Sequence, residues 1–214
     1  MFNIIVIRFV EDTVNVLRFR DTKYSALALA TTVVWLIVLC AGSAFAQGSM
    51  SPYPDEQDGT SAGGKWMKFE SVDKMTGAKR IRFELVSNNY FREDPDYKPR
   101  VELYCENGKY KFGEFNPGVK LPPPNRPGFW GQPQLDVEVR IDDFHTHHGW
   151  NWGPRGRFLS MDKGTVRGVM GAQLFNVALP TRSGRQIAEF SPTGLNPEDV
   201  RKSCDLTAKK PSKD

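Results

Sequence analysis

The stretch RVELYCENGKYKF at Arg100–Phe112 constrains the fold more than any other part of the chain. Apolar and polar residues alternate up to Asn107-Gly108, which is the period-two pattern of a strand with one buried face. Asn-Gly tolerates positive φ at both positions and therefore predicts a two-residue hairpin turn. This turn fixes the register and predicts three facing pairs: Glu106 with Lys109, Cys105 with Tyr110, and Leu103 with Phe112.

Most of the remaining chain has the same alternating pattern in short segments, which predicts further strands. These segments are Trp66–Glu70, Arg80–Leu85, Leu135–Ile141, Phe158–Met161, Gln173–Leu179 and Gln186–Phe190. Their charged residues are expected to face outward. The pattern predicts a mainly β protein, an antiparallel β-sandwich or partly open barrel of about eight short strands with a C-terminal helix.

Two helices are predicted. Asn196 is a suitable N-cap, Pro197 fits the first helical position, and the helix should run to about Cys204. A second, inner helix is favoured within Asp162–Gly171, although Gly164 and Gly168 oppose it. Between the strands, Asn116–Pro133 contains six prolines, which predicts a stiff crossing loop rather than sheet because proline cannot donate to a ladder.

The first 46 residues differ from the rest. Basic residues precede the uncharged apolar run Tyr24–Cys40, and Ala44-Phe45-Ala46 forms a small-residue cleavage site before Gln47. This order predicts a secretory signal peptide at 1–46, or an N-terminal anchor if the run is left uncleaved. Both alternatives place the rest of the chain outside the cytoplasm, in the periplasm or secreted. The expected remainder is a flexible linker at 47–64, one β-rich domain at 65–206 and a basic disordered tail at 207–214.

Removal of the signal would leave two cysteines, Cys105 and Cys204. An even count in an oxidising compartment predicts one disulfide, with two separate free thiols as the alternative. Val200 and Cys204 lie four apart on one helix face, so Cys204 should point back at the sheet that carries Cys105.

All three histidines, His145, His147 and His148, lie in the segment DDFHTHHGWNW. In an extended strand, His145 and His147 fall on the same side, so the cluster is a candidate zinc or copper site. The alternatives are a pH sensor and a polar loop without a ligand, since no fourth ligand has a recognisable spacing. No other cofactor is indicated.

Three tryptophans, Trp130, Trp150 and Trp152, lie close to Gly- and Pro-rich segments. They are either core residues or an aromatic surface for a glycan or a peptide. The sequence contains no nucleophile elbow, phosphate-binding loop or dinucleotide fingerprint, so no catalytic residue is assigned and no enzyme activity is expected. A net charge of +4 without a basic cluster gives no indication of nucleic-acid binding.

The order of features over Trp66–Cys204 resembles the periplasmic proteins associated with type VI secretion, the VasI/TagO-like family. The resemblance rests on Cys-x-Asn-Gly-Lys at the end of a strand, on VEVRID, on the strand pair QLFNVALPTRSGRQIAEF, and on the Gly194-Leu195 step into a helix that ends at Cys204. It implies a non-enzymatic accessory protein of the envelope or of a secretion system, with a bond between Cys105 and Cys204. The partner would be an envelope protein or glycan, and a membrane only if the N-terminal segment is uncleaved.

Overall fold

A computed structural model describes residues 53–153 and 156–209. The predicted signal peptide, the start of the linker and the end of the tail lie outside these residues. The described part contains eleven strands and two helices. The strands are β1 (Thr60–Gly63), β2 (Trp66–Val72), β3 (Lys79–Val86), β4 (Arg100–Glu106), β5 (Lys109–Asn116), β6 (Arg126–Pro127), β7 (Pro133–Ile141), β8 (Phe144–Trp152), β9 (Leu159–Met161), β10 (Phe175–Thr181) and β11 (Gly184–Phe190). The helices are α1 (Lys163–Val169) and α2 (Pro197–Cys204).

All strands belong to one open antiparallel sheet in the order β1-β2-β3-β4-β5-β9-β8-β7-β10-β11, and β6 pairs with β7 outside this path. The mainly β class and the C-terminal helix are therefore confirmed. The sheet curls around one core, because Phe115 of β5 contacts Phe190 of β11 with ring centroids 6.2 Å apart. Two bonds hold the ends of the curled sheet together: the Trp66 indole donates to the Pro192 carbonyl at 2.8 Å, and the Asn196 amide donates to the Ala62 carbonyl at 3.0 Å.

The predicted hairpin is present, with one correction to its register. Glu106 faces Lys109 and Cys105 faces Tyr110, but a β-bulge next to Cys105 shifts the following pairs by one residue. Leu103 therefore faces Gly113 rather than Phe112. Phe112 lies on the opposite face of the sheet and is 43% exposed.

The disulfide between Cys105 and Cys204 is present and joins β4 to the end of α2. Both residues are buried in the core. Asn196 caps α2 as predicted, because its side-chain oxygen accepts hydrogen bonds from the amides of Glu198 and Asp199. The inner helix is also present as α1, whose N-cap is Asp162.

Two predictions on the extent of the sheet need correction. Regular secondary structure begins before Trp66. β1 lies inside the predicted linker, and Glu56 forms an isolated β-bridge with Ser71. The proline-rich segment contributes the two-residue strand β6, whose Arg126 and Pro127 pair with the start of β7. Proline is tolerated there because β6 is an edge strand.

Candidate functional site

A row of three glutamates crosses the sheet on the face opposite the core. Glu84, Glu102 and Glu114 lie side by side on β3, β4 and β5, and none is more than 5% exposed. The sequence predicted that the charged residues of these strands face solvent, and this prediction is wrong for Glu84, Glu102 and Arg82. Residues before β1 and aromatic side chains cover this face, so both sides of the sheet are buried here.

Arg82 balances part of the negative charge of the glutamate row. Its guanidinium donates to Glu84 at 2.5 Å and to Glu102 at 3.0 Å, and it forms further bonds to both carboxylate oxygens of Glu56. Arg100 adds a second cation, 3.2 Å from Glu84. Such mutual hydrogen bonding is what allows charges to remain in a low-dielectric interior.

The pKa values in this network follow from burial and pairing. Burial, a hydrogen bond with Glu102 and the charge of Glu102 raise the pKa of Glu114 to about 8. Glu114 is therefore mostly protonated at neutral pH, which reduces the repulsion along the row. Burial disfavours the charged form of Arg82, but its bonds to the glutamates outweigh burial and raise the pKa of the guanidinium.

An aromatic layer covers the network. The guanidinium of Arg82 contacts the rings of Tyr53 and Phe69, 4.9 and 4.2 Å from their centroids. The Tyr104 hydroxyl donates to Glu102 at 2.8 Å and lies 2.7 Å from the Tyr53 hydroxyl. Burial, together with the charges of nearby glutamates, raises the pKa of Tyr104, so this hydroxyl acts as a neutral donor.

Tyr53 and Tyr104 also line a pocket of about 660 Å³, which we call the aromatic pocket. Tyr53, Tyr104 and Phe112 form its apolar walls, and the rings of Tyr104 and Phe112 stack with centroids 4.6 Å apart. The charged residues at its rim are paired: Lys111 lies 2.8 Å from Glu106, and Arg80 lies 2.5 Å from Asp73. The pocket therefore suits an aromatic or aliphatic group of modest polarity, held between aromatic walls.

The structure separates the three histidines. His145 and His147 do share one face of β8, with ring centroids 6.0 Å apart, as predicted. Each contacts a different carboxylate of β7, however: His145 contacts Glu138, and His147 lies 3.5 Å from Asp136. His148 points to the other face, where its ring lies 3.2 Å from Asp162. A site built from all three histidines is therefore not formed.

Within residues 53–153 and 156–209, no group of three or more His, Cys, Asp and Glu side chains is placed to hold a metal ion. In the same part of the chain, no helix is long and apolar enough to cross a membrane.

The three tryptophans do not form one surface either. Trp150 is buried at 1% exposure and packs near Phe115 in the core, so it is not a ligand-contacting residue. Trp152 is partly buried against the same core. Trp130 is 81% exposed and lies at the tip of the β6–β7 loop.

Sequence reasoning missed the aromatic pocket and the glutamate row. The residues are scattered between Tyr53 and Glu114, and only the strand register brings them together. One signal was available: charged residues recur on the same face of β3, β4 and β5, where a solvated sheet face would favour opposite charges in facing positions.

Comparison with protein-family models, with curated proteins and with solved structures found no match to this chain.

Proposed function

We propose that this protein is an exported, non-enzymatic accessory domain of the cell envelope or of a secretion system, which acts by binding a protein partner. The observation that carries the proposal is the aromatic pocket, whose walls are fixed in place by a buried charge network. The resemblance to the VasI/TagO-like periplasmic proteins supports the same role.

Export is supported by two independent features. The N-terminal segment has the order of a secretory signal, and the disulfide is buried in the core of the domain. Structural disulfides persist in oxidising compartments and are rare in the cytosol. N-terminal sequencing of the protein recovered from the envelope fraction should find Gln47 as the first residue, or the intact start if the segment remains as an anchor. Recovery in the cytosol with both cysteines reduced would contradict export.

Binding at the aromatic pocket is supported by the ion pairs and hydrogen bonds of its lining residues. Arg82 contacts three glutamates, and the Tyr104 hydroxyl is held by Glu102. A binding site that is already formed loses little conformational entropy when its ligand arrives. Apolar walls with a paired, charged rim fit an aromatic or aliphatic anchor residue of a partner protein.

Site-specific photo-crosslinking tests this proposal. A benzoyl-phenylalanine at position 112, in cells that express the full chain, should give an adduct with one envelope protein. The same probe at Ile187 is a matched control, since Ile187 is 45% exposed and Phe112 is 43% exposed.

A second variant tests whether the adduct depends on the pocket itself. Tyr53→Ala removes one wall of the pocket and should lower the yield of the adduct from position 112. Tyr90→Ala changes a tyrosine of similar exposure outside the pocket and should leave the yield unchanged. Equal adducts from positions 112 and 187, or an equal loss in the two tyrosine variants, would refute binding at the pocket.

A further inference from the structure

The tip of the β6–β7 hairpin presents two large aromatic side chains to solvent. Phe129 is 92% exposed and Trp130 is 81% exposed, and their rings contact each other edge to face with centroids 4.9 Å apart. Aromatic side chains normally bury most of their surface in a core or an interface. Two exposed aromatic side chains at one loop tip therefore indicate a binding partner outside the domain.

The tip is ordered by its own hydrogen bonds, although no other part of the described chain covers it. The Gly128 amide donates to the Gln132 carbonyl at 2.8 Å, and the Gly131 amide donates to the Gly128 carbonyl at 2.9 Å. The Trp130 amide donates to the Gln132 side chain at 3.0 Å. Gly131 adopts a φ of 77°, a conformation that residues with a Cβ rarely adopt. The two rings are thus held on a closed turn that projects from the sheet.

The segment that carries the tip has a basic composition. Phe115–Leu135 contains Lys120 and Arg126 and no Asp or Glu, and both basic residues are exposed. The first acidic residue after this stretch is Asp136, which lies 3.5 Å from Arg126.

We propose that this tip, Phe129 and Trp130, inserts into the interfacial region of a lipid bilayer, with Arg126, in the strand that leads into the tip, favouring anionic phospholipid headgroups. Phenylalanine and tryptophan suit this region because their rings enter the acyl boundary, while the indole N–H stays among polar groups. Each basic residue near an anionic leaflet adds a further favourable contribution. A projecting tip suits a fluid bilayer, whereas a protein partner would need a matching cavity.

Two further features favour a membrane as the binding partner of the tip: the N-terminal apolar run and the position of the tip in the sheet. The apolar run Tyr24–Cys40 predicts contact with a membrane, during export if it is a cleaved signal and permanently if it is retained as an anchor. The strand pairing also places the tip and the aromatic pocket at opposite ends of the sheet, since Lys111 lies toward the β4–β5 turn and Gln134 toward the other end. A domain docked through its tip would hold the pocket away from the bilayer. The inference does not depend on what the pocket binds.

Quenching of tryptophan fluorescence by brominated lipids tests the insertion on the full, oxidised chain. The protein is reconstituted with vesicles of phosphatidylcholine and phosphatidylglycerol whose acyl chains carry bromine. The emission of the wild type minus that of W130F isolates Trp130 from the other tryptophans, including Trp35 in the apolar run. This difference should be quenched, and Phe129→Ser should lower the fraction of inserted tip about tenfold.

A control tryptophan at the opposite end of the sheet shows whether quenching is specific. Met75 is 94% exposed in the β2–β3 turn, so Met75→Trp in the W130F background gives an equally exposed indole far from the tip. Its emission should not be quenched. Equal quenching of both positions, or no quenching of Trp130, would overturn the proposal.

The fluorescence of Trp130 also tests the role of anionic headgroups and the alternative of a protein partner for the tip. Arg126→Gln, or vesicles of phosphatidylcholine alone, should reduce the quenching of Trp130; no change in either case would overturn the role of anionic headgroups. If an envelope extract without lipid shields Trp130 from aqueous acrylamide while brominated lipid does not quench it, the tip is a protein contact and the membrane proposal fails.

Discussion

Breaking the bond between Cys105 and Cys204 should strongly destabilise the domain. The bond joins residues 99 positions apart, and a loop of that length restricts the unfolded chain by about 4.7 kcal/mol in the chain-entropy model. Reduction of the wild-type protein leaves every side chain in place, so it isolates this contribution. We expect the free energy of unfolding to fall by about 4 kcal/mol, which corresponds to a lower urea midpoint by about 2 M.

Equilibrium urea unfolding with and without dithiothreitol measures this change. The variants C105A and C204A, alone and together, distinguish a crosslink from two independently packed thiols. If the bond stabilises the fold, either single variant should lose nearly as much stability as the double variant, because each one already removes the crosslink. Additive losses in the double variant, or a change of less than about 1 kcal/mol on reduction, would refute the reasoning.

Three further predictions concern buried charges and caps, and each is measured by urea unfolding. Arg82→Met leaves buried carboxylates without their main cation and should cost about 3–5 kcal/mol. The pKa of Glu114 is raised in the folded state, so the protonated carboxyl stabilises the fold below pH 4.5 and this stabilisation is lost as pH rises toward 8. Glutamine cannot ionise. Glu114→Gln should therefore be more stable than the wild type at pH 8 by about 1 kcal/mol or more. Burial opposes ionisation of Asp162, but bonds from His148 and Thr165 lower its pKa; Asp162→Ala should cost about 1–2 kcal/mol at pH 7. That difference should shrink as pH falls below about 4.

Each of these predictions has its own control. Arg140→Met changes an exposed arginine and should be nearly neutral, so an equal loss in both arginine variants would contradict the role of Arg82. An unchanged pH profile in Glu114→Gln would show that this carboxyl does not have a raised pKa. Asp143→Ala, in the β7–β8 turn, should change stability by a small and nearly constant amount from pH 7 to below pH 4, and the same pH response as in Asp162→Ala would exclude a specific cap.

The sequence predicts local features of this fold well, because local rules decide them. The Asn-Gly turn sets the pairs next to it, and Asn196 and Pro197 mark the start of α2. The bulge beside Cys105 was not predictable, since alternation gives no sign of one extra residue in a strand. Once the bulge occurs, Phe112 changes faces and becomes a wall of the aromatic pocket.

The candidate site was harder to predict than the fold. Alternation assigns Arg82 and Glu84 to the face opposite the core, which is correct, but it cannot show whether that face is covered. Their burial depends on a partner such as Glu56, which comes from a segment that reads as a linker. The prediction of a site built from three histidines fails for a similar reason. Alternation already separates His148 from His145 and His147, and the sequence gives no information on which carboxylate each ring contacts.

The bond between the Trp66 indole and the Pro192 carbonyl spans 126 residues and has a consequence for how the chain reaches its native state. During synthesis or export from the N-terminus, β2 appears early, but the groups that complete its end appear last. Contacts so distant along the chain slow folding, because a long loop must close before they contribute. Until Asn196 has emerged, the polypeptide carries an unfinished sheet edge that invites aggregation. A truncation upstream of α2 would therefore yield an incomplete domain rather than a smaller one.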